Sequence, residues 1–291
     1  MSRRDFLLLA AICFVWAVNA VVSRYAIADA GVPPLLLSAA RFALAAAVLS
    51  PLLRPLPRPL APLILVSLLM GAGHFGVLMI GYGLVDASVV AILLQVGIPM
   101  TALFSALILG ERIAARRLVG IALALAGIVA VLWRPDAHMS GLGAAAVLVA
   151  AASLALGSVL MKRLAAISPM RLQAWTSLSS IWPLAAASLA FEPGRAADVL
   201  TQPLVFGGTV LFASLAVTVI SHTGYYRLLR RYEASLVSPL TLMFPLMTVV
   251  LGQVLLGERP DAAFFAGTVL VLAGVALVAT SAARPTADHT T

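Results

Sequence analysis

The chain has 291 residues, 62% hydrophobic and 10% charged, with a mean hydropathy of +1.08. A soluble domain is about 45–50% apolar and about 25% charged, so this composition is that of a polytopic membrane protein with no room for a soluble domain. The formal charge of +8 does not mark a nucleic-acid binder, because the cations fall between hydrophobic segments, where they orient a membrane chain.

A helix rising about 1.5 Å per residue needs about 20 apolar residues to cross the hydrocarbon. The chain divides, with little left over, into ten such segments at residues 5–28, 33–53, 60–84, 87–109, 116–134, 140–162, 168–191, 204–229, 234–256 and 261–282. Pro33-Pro34, the prolines from Pro55 to Pro59, Arg134-Pro135-Asp136, Ser168-Pro169 and Glu192-Pro193-Gly194 separate them, since proline and glycine end or reset helices. The first segment follows Arg3-Arg4, as a cleaved signal would, but it is too long and lacks a small-residue cleavage site. It reads as the first span. Its one cysteine, Cys13, makes no intrachain disulfide and no multi-cysteine metal site.

Taken in order, the segments carry distinct polar stripes. Span one offers Trp16, Asn19 and Ser23. Span two contains Arg41, about eight residues in, where a long stem can snorkel to the outer interface; a structural role is expected for it. Span three, Gly-Ala-Gly-His-Phe-Gly-Val-Leu-Met-Ile-Gly-Tyr-Gly from residue 71, places Gly71, His74, Leu78 and Tyr82 on one helical face. Its glycines, Gly71, Gly73, Gly76 and Gly81 among them, favour close helix contact and also leave the helix locally weak, as a gate would require. Span four aligns Ser88, Ile92, Gln95 and Pro99. Span seven aligns Trp175, Ser179 and Trp182; span eight holds His222, Tyr225 and Tyr226; span nine holds Ser235, Ser238, Thr241, Pro239 and Pro245. Pro99, Pro239 and Pro245 are expected kinks.

With the N-terminus cytoplasmic, fourteen of the nineteen Lys and Arg fall in inside connections, which places both termini inside. A constant offset aligns Ala87-Ser88 with Ala234-Ser235, Gly110-Glu111-Arg112 with Gly257-Glu258-Arg259, and Ala126-Gly127 with Ala273-Gly274. The chain therefore reads as a duplicated five-span unit, residues 1–137 and 138–291. Because five is odd, the second copy enters the membrane inverted, the architecture of alternating-access transporters. His74 and His222 occupy nearly equivalent positions in the two copies, and buried ionisable groups in membranes usually face the bundle interior or a watery cavity. Gly120, Ala124 and Gly127 answer Gly267 and Gly274 as packing faces.

Every Asp and Glu lies in a connection or at a span end, which argues against a proton-driven exporter of bulky cations. No phosphate-binding glycine loop, zinc-protease helix or nucleophile elbow is present. The Glu111-Arg112 and Glu258-Arg259 pairs read as exposed helix ends. A carrier with neither metal nor cofactor is the expectation.

The duplicated unit, Trp16-Ala17-Val18-Asn19, Pro34 with Arg41, and the twin Leu-Gly-Glu-Arg endings at Leu109 to Arg112 and Leu256 to Arg259 resemble the drug/metabolite transporter superfamily, and within it the ten-span EamA-type exporters. The resemblance implies an all-α bacterial inner-membrane exporter of amino acids and related metabolites, monomeric or homodimeric, with a cavity lined by spans one, three, four, six, eight and nine. Met1 to Asp5 and Leu229 to Glu233 are similar to the branch that exports O-acetylserine and cysteine; other branches take threonine and homoserine, or aromatic amino acids. The expected substrate contacts are Trp16, Asn19, His74, Tyr82, Gln95, His222, Tyr225, Tyr226 and Thr241. A carrier of another small metabolite, such as a purine or a sugar derivative, is the alternative.

Overall fold

The computed structural model describes residues 1–111, 113–133, 140–164, 167–232, 236–237 and 240–281, apart from the side chains of Tyr226, Arg230 and Ser281. The principal helices are α1 (Arg3–Asp29), α2 (Pro34–Leu53), α3 (Leu60–Leu84), α4 (Ala87–Leu109), α5 (Ala115–Leu132), α6 (Gly141–Met161), α7 (Pro169–Phe191), α8 (Pro203–Leu229), α9 (Met243–Leu256) and α10 (Ala262–Ser281). Eight of them are long and apolar enough to cross a membrane; α7 is an unbroken helix of 23 residues and α9 is an apolar helix of 14. The described residues form no strand.

Local chemistry sets the ends. The Oγ atoms of Ser2, Ser140 and Ser168 accept from the backbone N–H groups of Asp5, Gly143 and Arg171, satisfying donors that the first turn leaves free. Pro34, Pro169 and Pro203 open α2, α7 and α8, where the missing N–H costs nothing. Gly110 and Gly257, at φ 71° and 66°, stop α4 and α9 in the left-handed region, so the twin Gly-Glu-Arg segments are glycine-terminated helix ends.

Helix pairing respects the exchange of the first five helices with the last five. α1 packs on α8 and α9 as α6 packs on α3 and α4, and α2 meets α8 as α7 meets α3. The pairs α2 with α7, α4 with α9 and α5 with α10 map onto themselves. At the α5–α10 crossing, a methyl group added to Gly120 would lie 2.8 Å from the Gly274 carbonyl oxygen, and one added to Gly127 would lie 2.7 Å from that of Gly267. As the contact advances along α5 it retreats along α10, so the two helices run antiparallel with their backbones in near contact, the arrangement small residues permit in lipid.

Departures from regular α-helix also recur in both halves. α3 widens to π-helix over Leu69–Gly76 and α8 over Phe212–Ser221, the segments that lead to His74 and His222. α4 tightens to 3₁₀ over Leu94–Val96, just ahead of Pro99, which has no N–H to donate to the carbonyl four residues back. Pro245 lies in the first turn of α9, where no such donor is needed. Pro239 and Tyr226's ring lie outside the described residues and side chains.

Two expectations about residues within the spans are overturned. Arg41 does not snorkel: it is 2% exposed and faces the protein. Trp182 leaves the polar stripe assigned to α7, standing 76% exposed on the outer surface with Leu189 and Phe191, while Trp175 packs inward with Leu63, Val66 and Leu172.

Candidate functional site

The π segment of α8 rotates a run of hydroxyls toward α1 and α2. Ser214 Oγ donates to the Arg41 carbonyl oxygen at 2.8 Å, and Thr218 Oγ1 accepts from Arg41 Nη2 at 3.1 Å. Ser221 Oγ accepts from Trp16 Nε1 at 2.9 Å. One residue further, His222 lies 5.8 Å from the Trp16 ring, which is also flanked by Tyr225 at 5.3 Å and Phe244 at 6.4 Å. Trp16, His222 and Tyr225, each an expected substrate contact, thus form one half-buried aromatic cluster, joined by Ser221 and Phe244, which the sequence does not single out.

On the α3 side, His74 is buried, with Nδ1 2.9 Å from the Ala150 carbonyl oxygen of α6. Its ring stands edge-on to Phe75 at 4.5 Å. The opposite neighbour of Phe75 is Arg41, whose guanidinium carbon lies 4.4 Å from the ring centroid, with the Phe42 ring at 5.7 Å. Arg41 therefore links the two clusters, bonded to α8 through Thr218 and stacked on α3 through Phe75, within electrostatic reach of His74, Tyr82 and His222.

Burial of a guanidinium costs several kcal/mol. A desolvated cation–π contact returns about 2 kcal/mol and one hydrogen bond from a charged donor about 1.5–3 kcal/mol, so Arg41 is tolerated where it stands. It is not neutralised. Among the described residues Nε and Nη1 have no acceptor, and no carboxylate reaches it.

The remaining expected contacts divide. Asn19, one turn beyond Trp16, is 8% exposed and its Oδ1 has no donor among the described residues. Tyr82 sits in the main apolar core at 2% exposure; Gln95 is buried in the 3₁₀ turn of α4; Thr241 is half-buried in the turn before α9. The four glycines act as contact points. Added methyls at Gly71 and Gly76 would meet Ser180 and Leu184 of α7, and at Gly73 and Gly81 would meet Ser153 and Val147 of α6. Gly71, Gly73 and Gly76 also fall inside the π segment, so close packing and irregular backbone coincide there.

At one end of the bundle, carboxylates from the second half hold the first turns of helices from the first half. Glu192 accepts from the N–H groups of Leu35 and Leu36 at 2.8 and 3.1 Å and from Ser188. Glu258 accepts from the N–H groups of Ala87 and Ser88 at 2.7 and 3.1 Å and from the Ser88 hydroxyl. Glu258 is thus no exposed helix end but a half-buried clasp between α9 and α4, and burial raises its pKa above the ordinary carboxylate value. Its repeat counterpart, Glu111, is exposed at the other end, where Lys162 lies 2.9 Å away and its hydrogen bond lowers the carboxyl's pKa. Asp5, Tyr232 and Arg231 form a second contact at that end, with Tyr232 Oη donating to Asp5 at 2.6 Å.

A bundle of apolar helices long enough to cross a membrane, with the two sequence halves packed in exchangeable pairs, is that of a multi-pass membrane protein. The chain belongs to the EamA-like transporter family, whose sequence profile matches residues 4–133 and again 141–280. It is 32% identical to the probable amino-acid metabolite efflux pump of Salmonella typhimurium and 31% identical to the protein of the same description in Escherichia coli, covering 94% of both chains in each comparison. An uncharacterized transporter of Bacillus subtilis, YvbV, is 28% identical over 96% of this chain and 92% of its own. A crystal structure at 21% identity shares the fold, with a TM-score of 0.60 over 95% of this chain and 96% of that one.

Proposed function

We propose that the protein is a bacterial inner-membrane exporter of neutral amino acids, aromatic ones included, and related metabolites. It works by alternating access between two inverted five-helix units, residues 1–137 and 138–291, with both termini cytoplasmic, as a monomer or homodimer. The observation that carries this reading is the recurrence of π-helix at corresponding places in α3 and α8, a segment that contains His74 in one half and ends one residue before His222 in the other. The amino-acid efflux pumps named among its relatives favour the substrate class. The antiparallel α5–α10 crossing supports the inversion.

In this mechanism a zwitterion enters from the cytoplasm. Asn19, Gln95, Thr241 and the two imidazoles meet its polar core, and Trp16, Tyr82, Tyr225 and Tyr226 meet its side chain. The halves then rock about the central site to release it outside. Facilitated diffusion down an outward gradient is consistent with a centre in which no described carboxylate stands.

Counterflow in proteoliposomes tests this. Labelled L-serine, L-cysteine and L-phenylalanine are expected to exchange, with preferences among side chains that differ by one methylene of only about fourfold, since one methylene is worth about 0.8 kcal/mol. His74→Ala and Gln95→Ala are expected to depress all three together. Exchange of a purine or sugar derivative alone, or thousandfold discrimination between neighbouring homologues, would contradict the reading.

A further inference from the structure

We infer that Arg41 is the receptor for the substrate's carboxylate. The inference rests on the amino-acid reading above and deepens it by assigning the charged group that recognises the substrate's anionic end.

The guanidinium is held from two sides, and its remaining donors are buried without a partner among the described residues. Phe75 lies beneath it and Thr218 fixes Nη2, while Nε and Nη1, in a residue 2% exposed, have no acceptor among the described residues. A charged donor so placed is complete only with an anion, and no described side chain provides one. Arginine's planar fork suits a carboxylate, which can accept two parallel bonds. A monoanion also balances a single guanidinium charge, where a phosphate dianion would leave one charge over.

Packing does not require the arginine. Pro34 and Pro169 open corresponding helices, and seven residues on from each stand Arg41 and Thr176. Thr176 fills the equivalent place on α7 against Gly71 of α3, with its Cγ2 2.9 Å from where a Gly71 methyl would lie. A small hydroxyl residue therefore suffices at this crossing. The charge in the other half sits between the two histidine clusters, where a substrate passing between the halves must meet it.

The experiment uses the purified full chain in proteoliposomes, with labelled L-phenylalanine counterflow and three unlabelled competitors: L-phenylalanine, its primary amide and 3-phenylpropionate. The amide is expected to compete about tenfold or more weakly than the acid, as loss of a charge-assisted pair implies, and 3-phenylpropionate to retain measurable competition. Arg41→Gln is expected to lower exchange about tenfold or more and to erase the preference for acid over amide; Arg41→Lys keeps the preference. Equal competition by amide and acid in the wild type overturns the inference, and this arm needs no variant to fold. So does an Arg41→Gln protein, monodisperse in detergent, that keeps the preference.

If the wild type exchanges no amino acid, thermal stabilisation by 3-phenylpropionate against 3-phenylpropionamide decides separately. A shift with the acid alone, absent in Arg41→Gln, upholds the anion site while the amino-acid reading falls. No difference between acid and amide removes Arg41 from the site.

Discussion

Replacing Gly127 or Gly274 by leucine is expected to abolish assembly of the folded bundle. A methyl at Gly127 already lies 2.5 Å from the Val271 backbone nitrogen, and one at Gly274 lies 2.5 Å from the Gly120 carbonyl oxygen. Backbone cannot rotate away as a side chain can, so α5 and α10 must separate along their length. Overpacking in an adjustable core costs about 1–3 kcal/mol, and a rigid backbone contact in lipid exceeds that range because no rotamer relieves it. The expected result is loss of the monodisperse peak in detergent, or a large fall in Tm. Gly207→Leu, where an added methyl meets nothing within 4 Å, is expected to leave both unchanged. Normal folding of Gly127→Leu would mean that the close crossing is not present.

The second large effect is expected at the Glu258 clasp. Glu258→Ala leaves the N–H groups of Ala87 and Ser88 and the Ser88 hydroxyl without their acceptor. Loss of an N-terminal cap costs about 1 kcal/mol and of a charge-assisted bond about 1.5–3 kcal/mol. Together these weaken the α4–α9 contact by about 2.5–4 kcal/mol, roughly 60- to 700-fold in the balance between clasped and released ends. Ser23, buried on α1 near the Arg24–Asp86 pair, reports that end. In a Cys13→Ala background, labelling of Ser23→Cys by a small impermeant reagent should accelerate in Glu258→Ala. The clasp should also respond to pH. Because burial raises the pKa of Glu258, the clasped form holds its proton more tightly than a released, solvated form. Acidification therefore favours the clasp, and raising pH through the raised value favours release. That dependence, taken relative to Glu258→Ala to remove the reagent's own pH effect, should vanish in the variant. Identical accessibility in both proteins at every pH would exclude a gating role.

Most of the fold was legible because its determinants are local. Helices start at Ser2, Ser140, Ser168 and the N-terminal prolines, and α4 and α9 end at Gly110 and Gly257, where left-handed backbone favours glycine. Each described helix boundary falls within two residues of the expected span, the start of α9 excepted. The α5–α10 contact was legible from its paired glycines.

The site was less so, because it depends on partners far away in sequence. Depth along α2 suggested that Arg41 could snorkel, but only the fold reveals which face it occupies. Its hydroxyl partner, Thr218, is 177 residues away. Ser38 and Ala45, one turn to either side and both buried, carried the available signal: small residues flanking a charge mark a face that meets another helix. Glu258 was misread for the same reason, since a glutamate after a helix looks solvated until the N-terminus of α4 is placed against it.

The central claim is that two halves of one chain face opposite sides of the membrane, and single-cysteine labelling measures it most directly. Ala114 and Arg259 are exposed, each just beyond one of the twin Gly-Glu turns. With Cys13 replaced by alanine, an impermeant maleimide applied to intact cells should modify Arg259→Cys and spare Ala114→Cys, which should react only in everted vesicles. Modification of both positions from the same side would contradict the inverted arrangement and the alternating-access mechanism built on it.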